Sequence, residues 1–126
     1  MSIKFHKGEH LPTSSLPFSP AVEAGGFIFI SGQASVDING KIINDNFDNE
    51  CRRSFENVRT ILNGAGLSFE DVVQVRNYVA DQGDLKRFNE IYKEYFSEPY
   101  PARTTLIGCL GNLLKFEVDV VAFRKG

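Results

Sequence analysis

The chain contains no tryptophan, one methionine, two cysteines and two histidines in 126 residues. Cys51 and Cys109 form no CxxC pair, and so few histidines assemble no ligand set of the zinc-site type. His6 and His10 stand four apart in a polar segment without an accompanying acid or cysteine set, so no metal is expected. Lysine and arginine never gather into a run and the net charge is −2, which argues against a nucleic-acid partner. No apolar stretch approaches the roughly 20 residues that span a bilayer, so no membrane partner is expected. Met1–His6 has no apolar core of signal-peptide length, which makes the cytoplasm the expected compartment. Ser14, Ser15 and Ser19 lack a nearby base and a nucleophile-elbow setting, so serine hydrolysis is unsupported. Asn63-Gly64-Ala65-Gly66 follows a helix instead of opening one, which reads as a helix stop and not a phosphate loop.

What is present is an ordinary globular composition, 42% hydrophobic and 24% charged, without repeats or linkers. Residues 1–126 read as one domain. Residues 1–19 look irregular or edge-like. Ala21–Glu23 and Phe27–Gln33 read as extended segments joined at Gly25-Gly26, and Ser31-Gly32-Gln33 closes the second. Asp37-Ile38-Asn39-Gly40 is a turn, and Lys41–Ile43 is a candidate short strand pairing back. Phe47, Cys51, Phe55, Val58 and Leu62 recur at helical spacing and predict a helix over Asp48–Asn63, with Cys51 a buried thiol. Val72–Ala80 is a strand. Leu85–Phe96 is a second helix with Leu85, Phe88, Ile91, Tyr92 and Tyr95 along one side, and Arg103–Ile107 and Phe116–Phe123 are the last strands. Two amphipathic helices on one face of a mixed sheet make an α+β two-layer domain. The opposite face has no helix to cover it, which predicts subunit association.

Two residue types point to chemistry. Arg103 follows Pro99 and Pro101, whose fixed φ stiffens the backbone that delivers a planar fork suited to a carboxylate. In Phe116–Phe123 one face is apolar and the other carries Glu117 and Asp119. If the last two strands are antiparallel neighbours joined by 108–115, Arg103 and Glu117 meet at one end of a hairpin. They then form either a surface ion pair or a site.

Tyr100-Pro101-Ala102-Arg103-Thr104-Thr105, followed by Phe116-Glu117-Val118-Asp119-Val120-Val121-Ala122, resembles the C-terminal signature of the Rid (YjgF) family of reactive-imine deaminases. Leu16-Pro17-Phe18-Ser19-Pro20 and Phe29-Ile30-Ser31-Gly32-Gln33 resemble its earlier motifs, so the likeness runs the length of the chain. The resemblance implies a chorismate-mutase-like fold, a homotrimer, clefts between subunits and no cofactor. It implies hydrolysis of 2-imino acids, tautomers of enamines such as 2-aminoacrylate, to 2-keto acids and ammonia. By position, Arg103 would hold the substrate carboxylate and Glu117 would position or activate water. Gly32 would lie against the nitrogen end, with Ser31, Phe18 and the Thr105 backbone N–H completing the binding set. The chain departs from the family pattern at Phe18, where tyrosine is common, at Thr105, where cysteine is frequent, and in the loop Gly108–Asn112. These departures keep open a non-catalytic small-carboxylate-binding role on the same scaffold.

Overall fold

A computed structural model describes residues 2–8 and 11–126. His10 lies outside the described residues. In chain order the elements are β1 (Ile3–His6), β2 (Ala21–Ala24), β3 (Phe27–Ala34), α1 (Phe47–Gly64) and β4 (Val72–Val79). Then come α2 (Leu85–Tyr92), β5 (Ala102–Ile107) and β6 (Phe116–Phe123), with short 3-10 turns at Phe69–Asp71 and Gln82–Asp84.

α1 forms where the apolar stripe predicts it, and Phe47, Cys51, Phe55, Val58 and Leu62 are all buried. Asn46 caps its start by accepting from the Asn49 backbone N–H at 2.9 Å. At its end Gly66 takes φ +77°, while Gly66 N–H reaches the Asn63 carbonyl and Leu67 N–H the Leu62 carbonyl. That paired closure is the Schellman arrangement, and it needs a left-handed residue where glycine sits. α2 is shorter than its apolar pattern predicts. Its last turn tightens at Glu94 and Tyr95, whose N–H groups bond to Ile91 and Tyr92 carbonyls. The tyrosine stripe continues beyond the helix because Tyr95 and Phe96 still pack against Phe55. Lys41–Ile43 forms no strand; the segment makes one isolated bridge, Val36 to Ile42, across the Asp37–Gly40 turn.

The sheet order is β1-β2-β3-β6-β4-β5, antiparallel throughout except for β4 and β5. This corrects the expected hairpin: β5 and β6 are not neighbours, because β4 lies between them. The chain leaves β4, crosses through α2 and returns beside β4 in the same direction, as a strand–helix–strand unit requires. β6 then takes β4's other edge.

α1 and α2 cover one face. Their core partners are Ile28, Ile30, Val75, Val79, Phe116, Val118, Val120 and Ala122, with Phe55 at its centre against Tyr92, Phe96 and Phe116. The other face is open: Phe5, Phe27, Phe29, Leu106 and Phe123 are exposed there, with Phe27 and Phe123 rings 5.0 Å apart. Among the described residues no helix is long and apolar enough to cross a membrane.

Candidate functional site

β3 does not end at Ser31-Gly32-Gln33, as the sequence predicts, but continues to Ala34 through a bulge between Ile30 and Gln33. A bulge inserts unpaired residues and redirects side chains. Ser31 is pinned there, its Oγ donating to the Ser19 carbonyl at 2.6 Å and its N–H to the Pro20 carbonyl at 3.0 Å. That fastens the segment carrying Phe18 against β3. Beyond the bulge, Ala34 is in register with Glu117 of β6. A Cβ on Gly32 would fall 2.6 Å from Glu117 Oε2, so only glycine leaves the carboxylate its place.

Phe18, Ser31, Gly32 and Glu117 line one cavity of about 440 Å³. Its remaining wall is largely apolar, from Pro12, Leu16, Val36, Ile42, Leu113 and Leu114. Glu117 is the one ionisable group among these lining residues. Burial, and secondarily the charge on Asp119, push its carboxyl above the usual carboxylate range. The two acids of β6 differ in their partners. Asp119 accepts from Arg76 Nε at 2.8 Å and the Tyr78 hydroxyl at 2.7 Å, whereas Glu117 has no hydrogen-bond donor among the described residues. A third carboxylate, that of Glu50, is buried on α1. It accepts from the backbone N–H groups of Asp45 and Lys115, both at 3.0 Å, and ties the start of β6 to α1.

Arg103 stands elsewhere. It is in register with Val75, and Val75 with Val120, so its side chain shares their helix-covered side. Its guanidinium lies over the rings of Tyr92 and Phe88, 4.8 and 5.1 Å from their centroids, at an energy of about 0.5–2 kcal/mol per contact. A second cavity of about 420 Å³ opens there, lined by Asn89, Tyr92, Lys93, Tyr100, Pro101 and Arg103. Arg52, Arg53, Arg59, Arg76, Arg87 and Arg124 each hold a carboxylate; Arg103 alone among the arginines holds none in the described structure. Thr105 follows on the same face, in register with Asn77.

Phe18, Ser31, Gly32 and Glu117 thus come together, and Arg103 and Thr105 form a separate group. Glu117 is in register with Tyr78 and points to the open face, opposite to Arg103. One chain cannot bring Arg103 and Glu117 into a single site, so the hairpin-end pairing considered from sequence does not exist. Sequence reasoning missed Asn89, Lys93 and Tyr100 beside Arg103, and it read Tyr92 only as core. The signal available for Tyr92 was its position beside the end of α2, near the proline-stiffened approach to Arg103. Among the described residues no cluster of three or more His, Cys, Asp or Glu could hold a metal ion. His6 instead meets Glu23 at 3.0 Å, where Arg124 also binds.

Comparison with known proteins places this geometry. The model of the family described as endoribonuclease L-PSP matches residues 8–124. A RutC family protein of Pyrococcus horikoshii is 35% identical over 119 residues, 93% of this chain and 94% of that protein. Reactive Intermediate Deaminase A, chloroplastic, of Arabidopsis thaliana is 31% identical, over 90% of this chain and 62% of its own length. The crystal structure of Escherichia coli TdcF with bound serine superposes with a TM-score of 0.84 at 31% identity, covering 97% of this chain and 99% of that one. The chain belongs to this family, the Rid (YjgF) family that the Arg103 and Glu117 motifs resemble.

Proposed function

We propose that the protein hydrolyses reactive 2-imino acids and their enamine tautomers to 2-keto acids and ammonia, at clefts shared between copies of the chain. The carrying observation is a complementary pair on opposite faces. Among the described residues, Arg103 is a carboxylate fork without a carboxylate, and Glu117 is a half-buried carboxylate without a donor. An interface that joins two different surfaces is head-to-tail, and it closes as a ring where its rotation returns to the first copy. A trimeric ring is what the family resemblance implies, and the exposed phenylalanines of the open face would give it apolar area to bury.

In the shared cleft Arg103 binds the substrate carboxylate and fixes the imine carbon. Glu117 takes a proton from water as the oxygen bonds to that carbon. It returns that proton to nitrogen, giving a carbinolamine, and then carries the hydroxyl proton to the same nitrogen as the carbon–nitrogen bond breaks, leaving a 2-keto acid and ammonia. A carboxyl raised by burial is suited to both transfers. Neither transfer calls for a cofactor. The Arabidopsis relative's name as a reactive intermediate deaminase and the serine bound to TdcF, itself an amino acid with a free carboxylate, support this reading.

Phe18, which brings no hydroxyl to the cavity, favours a second reading in which the same pocket binds a small carboxylate without turnover. RNA cleavage, the activity in the family's description, finds less support, because the net charge is −2 and the arginines other than Arg103 are each ion-paired. The test generates an imine in situ with an amino-acid oxidase and follows keto-acid release. Acceleration by the wild type, lost in Arg103→Ala, is the expected result. No acceleration sinks the activity, tight keto-acid binding without turnover selects the second reading, and a monomer mass in solution removes the shared cleft.

A further inference from the structure

Among the described residues, the buried side-chain polar atoms with no hydrogen-bond partner are Asn77 Nδ2 and Oδ1, Tyr92 OH and Thr105 Oγ1. They gather in one place. Asn77 and Thr105 face each other in register on β4 and β5, strands spaced about 4.8 Å apart. Thr105 follows Arg103 by two residues on the same face, and Tyr92 lies directly beneath the Arg103 guanidinium. Asn77 is fully buried, between Val118 on one side and Thr105 on the other. Nothing in the packing calls for an amide there, since Val75 and Val79 occupy the equivalent positions on β4. An amide buried with neither end bonded is costly, and a ligand-bound state that uses its donor offsets that cost.

A bound carboxylate presents about four lone-pair sites, and an arginine fork fills two of them. The remaining oxygen valences need donors near Arg103, where Thr105 supplies a hydroxyl whose direction depends on what else that oxygen accepts. Building on Arg103 as the carboxylate anchor, we propose that Asn77 is a positioning residue for the ligand. With the carboxylate bound, its Nδ2–H, unpaired in the described structure, donates to Thr105 Oγ1 and turns the Thr105 hydroxyl proton toward the carboxylate on Arg103. The buried asparagine thereby restores, through a threonine, a side-chain donor at the position where the family frequently carries cysteine.

The test measures 2-oxobutanoate binding by titration calorimetry, alongside thermal unfolding. Thr105→Val is expected to weaken binding by about tenfold, the value of one hydrogen bond to a charged group, and Thr105→Ser to hold it within about twofold. Asn77→Val is expected to weaken binding by about fivefold while melting at or above the wild-type temperature, because it removes the unsatisfied amide. The double variant binds no more weakly than Thr105→Val alone, since both act through one hydroxyl. Should Asn77→Val fail to fold, Asn77→Leu, which keeps the Cγ-branched shape and heavy-atom count of asparagine, carries the same expectations. Unchanged affinity in the Asn77 variant, or losses that add in the double variant, overturn the positioning role while binding still depends on Arg103. A wild type that binds no 2-keto acid, or binding that survives Arg103→Ala, overturns the carboxylate reading and this inference with it.

Discussion

Gly32→Ala separates catalytic position from fold stability in a single atom. The added Cβ would meet Glu117 Oε2 at 2.6 Å and Cδ at 3.1 Å, against ordinary contact from 3.4 Å upward. The carboxylate must therefore retreat by about 0.8 Å. A displacement near 1 Å at a reacting group costs about 100-fold in rate, or about 2.7 kcal/mol of barrier. Stability responds differently. Gly32 has no positive φ, so alanine strains no backbone, and the atom that yields is the free end of a side chain without hydrogen bonds. Alanine also reduces the freedom of the unfolded chain, a gain of about 0.4–1 kcal/mol that offsets the crowding. The expected variant melts within a few degrees of wild type and loses about two orders of magnitude in kcat. Combined with Glu117→Gln it should be no slower than the slower single variant, because both act on one carboxylate. Wild-type rates in Gly32→Ala would refute the claim that the bulge positions Glu117. A large loss of stability with normal specific activity would make Gly32 a structural residue only.

Glu117 also predicts a pH dependence. Its folded pKa is raised by burial and by Asp119, so the folded state holds the proton more tightly than the unfolded chain does. Its contribution to stability therefore falls as pH rises from the ordinary carboxylate value of 4.5 through the raised one. Glu117→Gln should be more stable than wild type at pH 7 and indistinguishable near pH 4 by denaturant unfolding, and a reversed order would contradict the burial cause. Asp119→Asn removes the neighbouring charge and should move the acid limb of the rate profile toward lower pH by less than the full shift, since burial is the larger cause. Glu23 has the opposite sign: the Arg124 bond, helped by His6, holds its carboxyl at about 2. Its stabilisation is present above pH 4.5 and is lost as pH falls toward 2, so Glu23→Gln should be less stable than wild type at pH 7 and converge with it in acid. A constant difference across that range in unfolding titrations would rule the ion pair out as the source.

Local patterns carried most of the elements. The spacing of Phe47, Cys51, Phe55, Val58 and Leu62 marked α1 because one helical face must be apolar to pack, and alternation in β6 marked Phe116, Val118, Val120 and Ala122 as its buried side. The same alternation left Glu117 and Asp119 equivalent. Their difference came from β4, whose Arg76 and Tyr78 reach Asp119 and leave Glu117 free. The length of α2 was overestimated because Tyr95 and Phe96 keep the apolar spacing while the backbone has already tightened.

The sequence by itself determined the two helices, the strands that matter, the uncovered sheet face and the residue types of the site. These depend on short-range periodicity and on the stiffness of Pro99 and Pro101. Only the tertiary structure decided that β4 separates β5 from β6, that Arg103 and Glu117 face opposite ways, and that Asn77 is buried without a partner among the described residues. Strand order and register are set by the closure of the α2 crossover and by contacts between distant segments, and no local pattern encodes them.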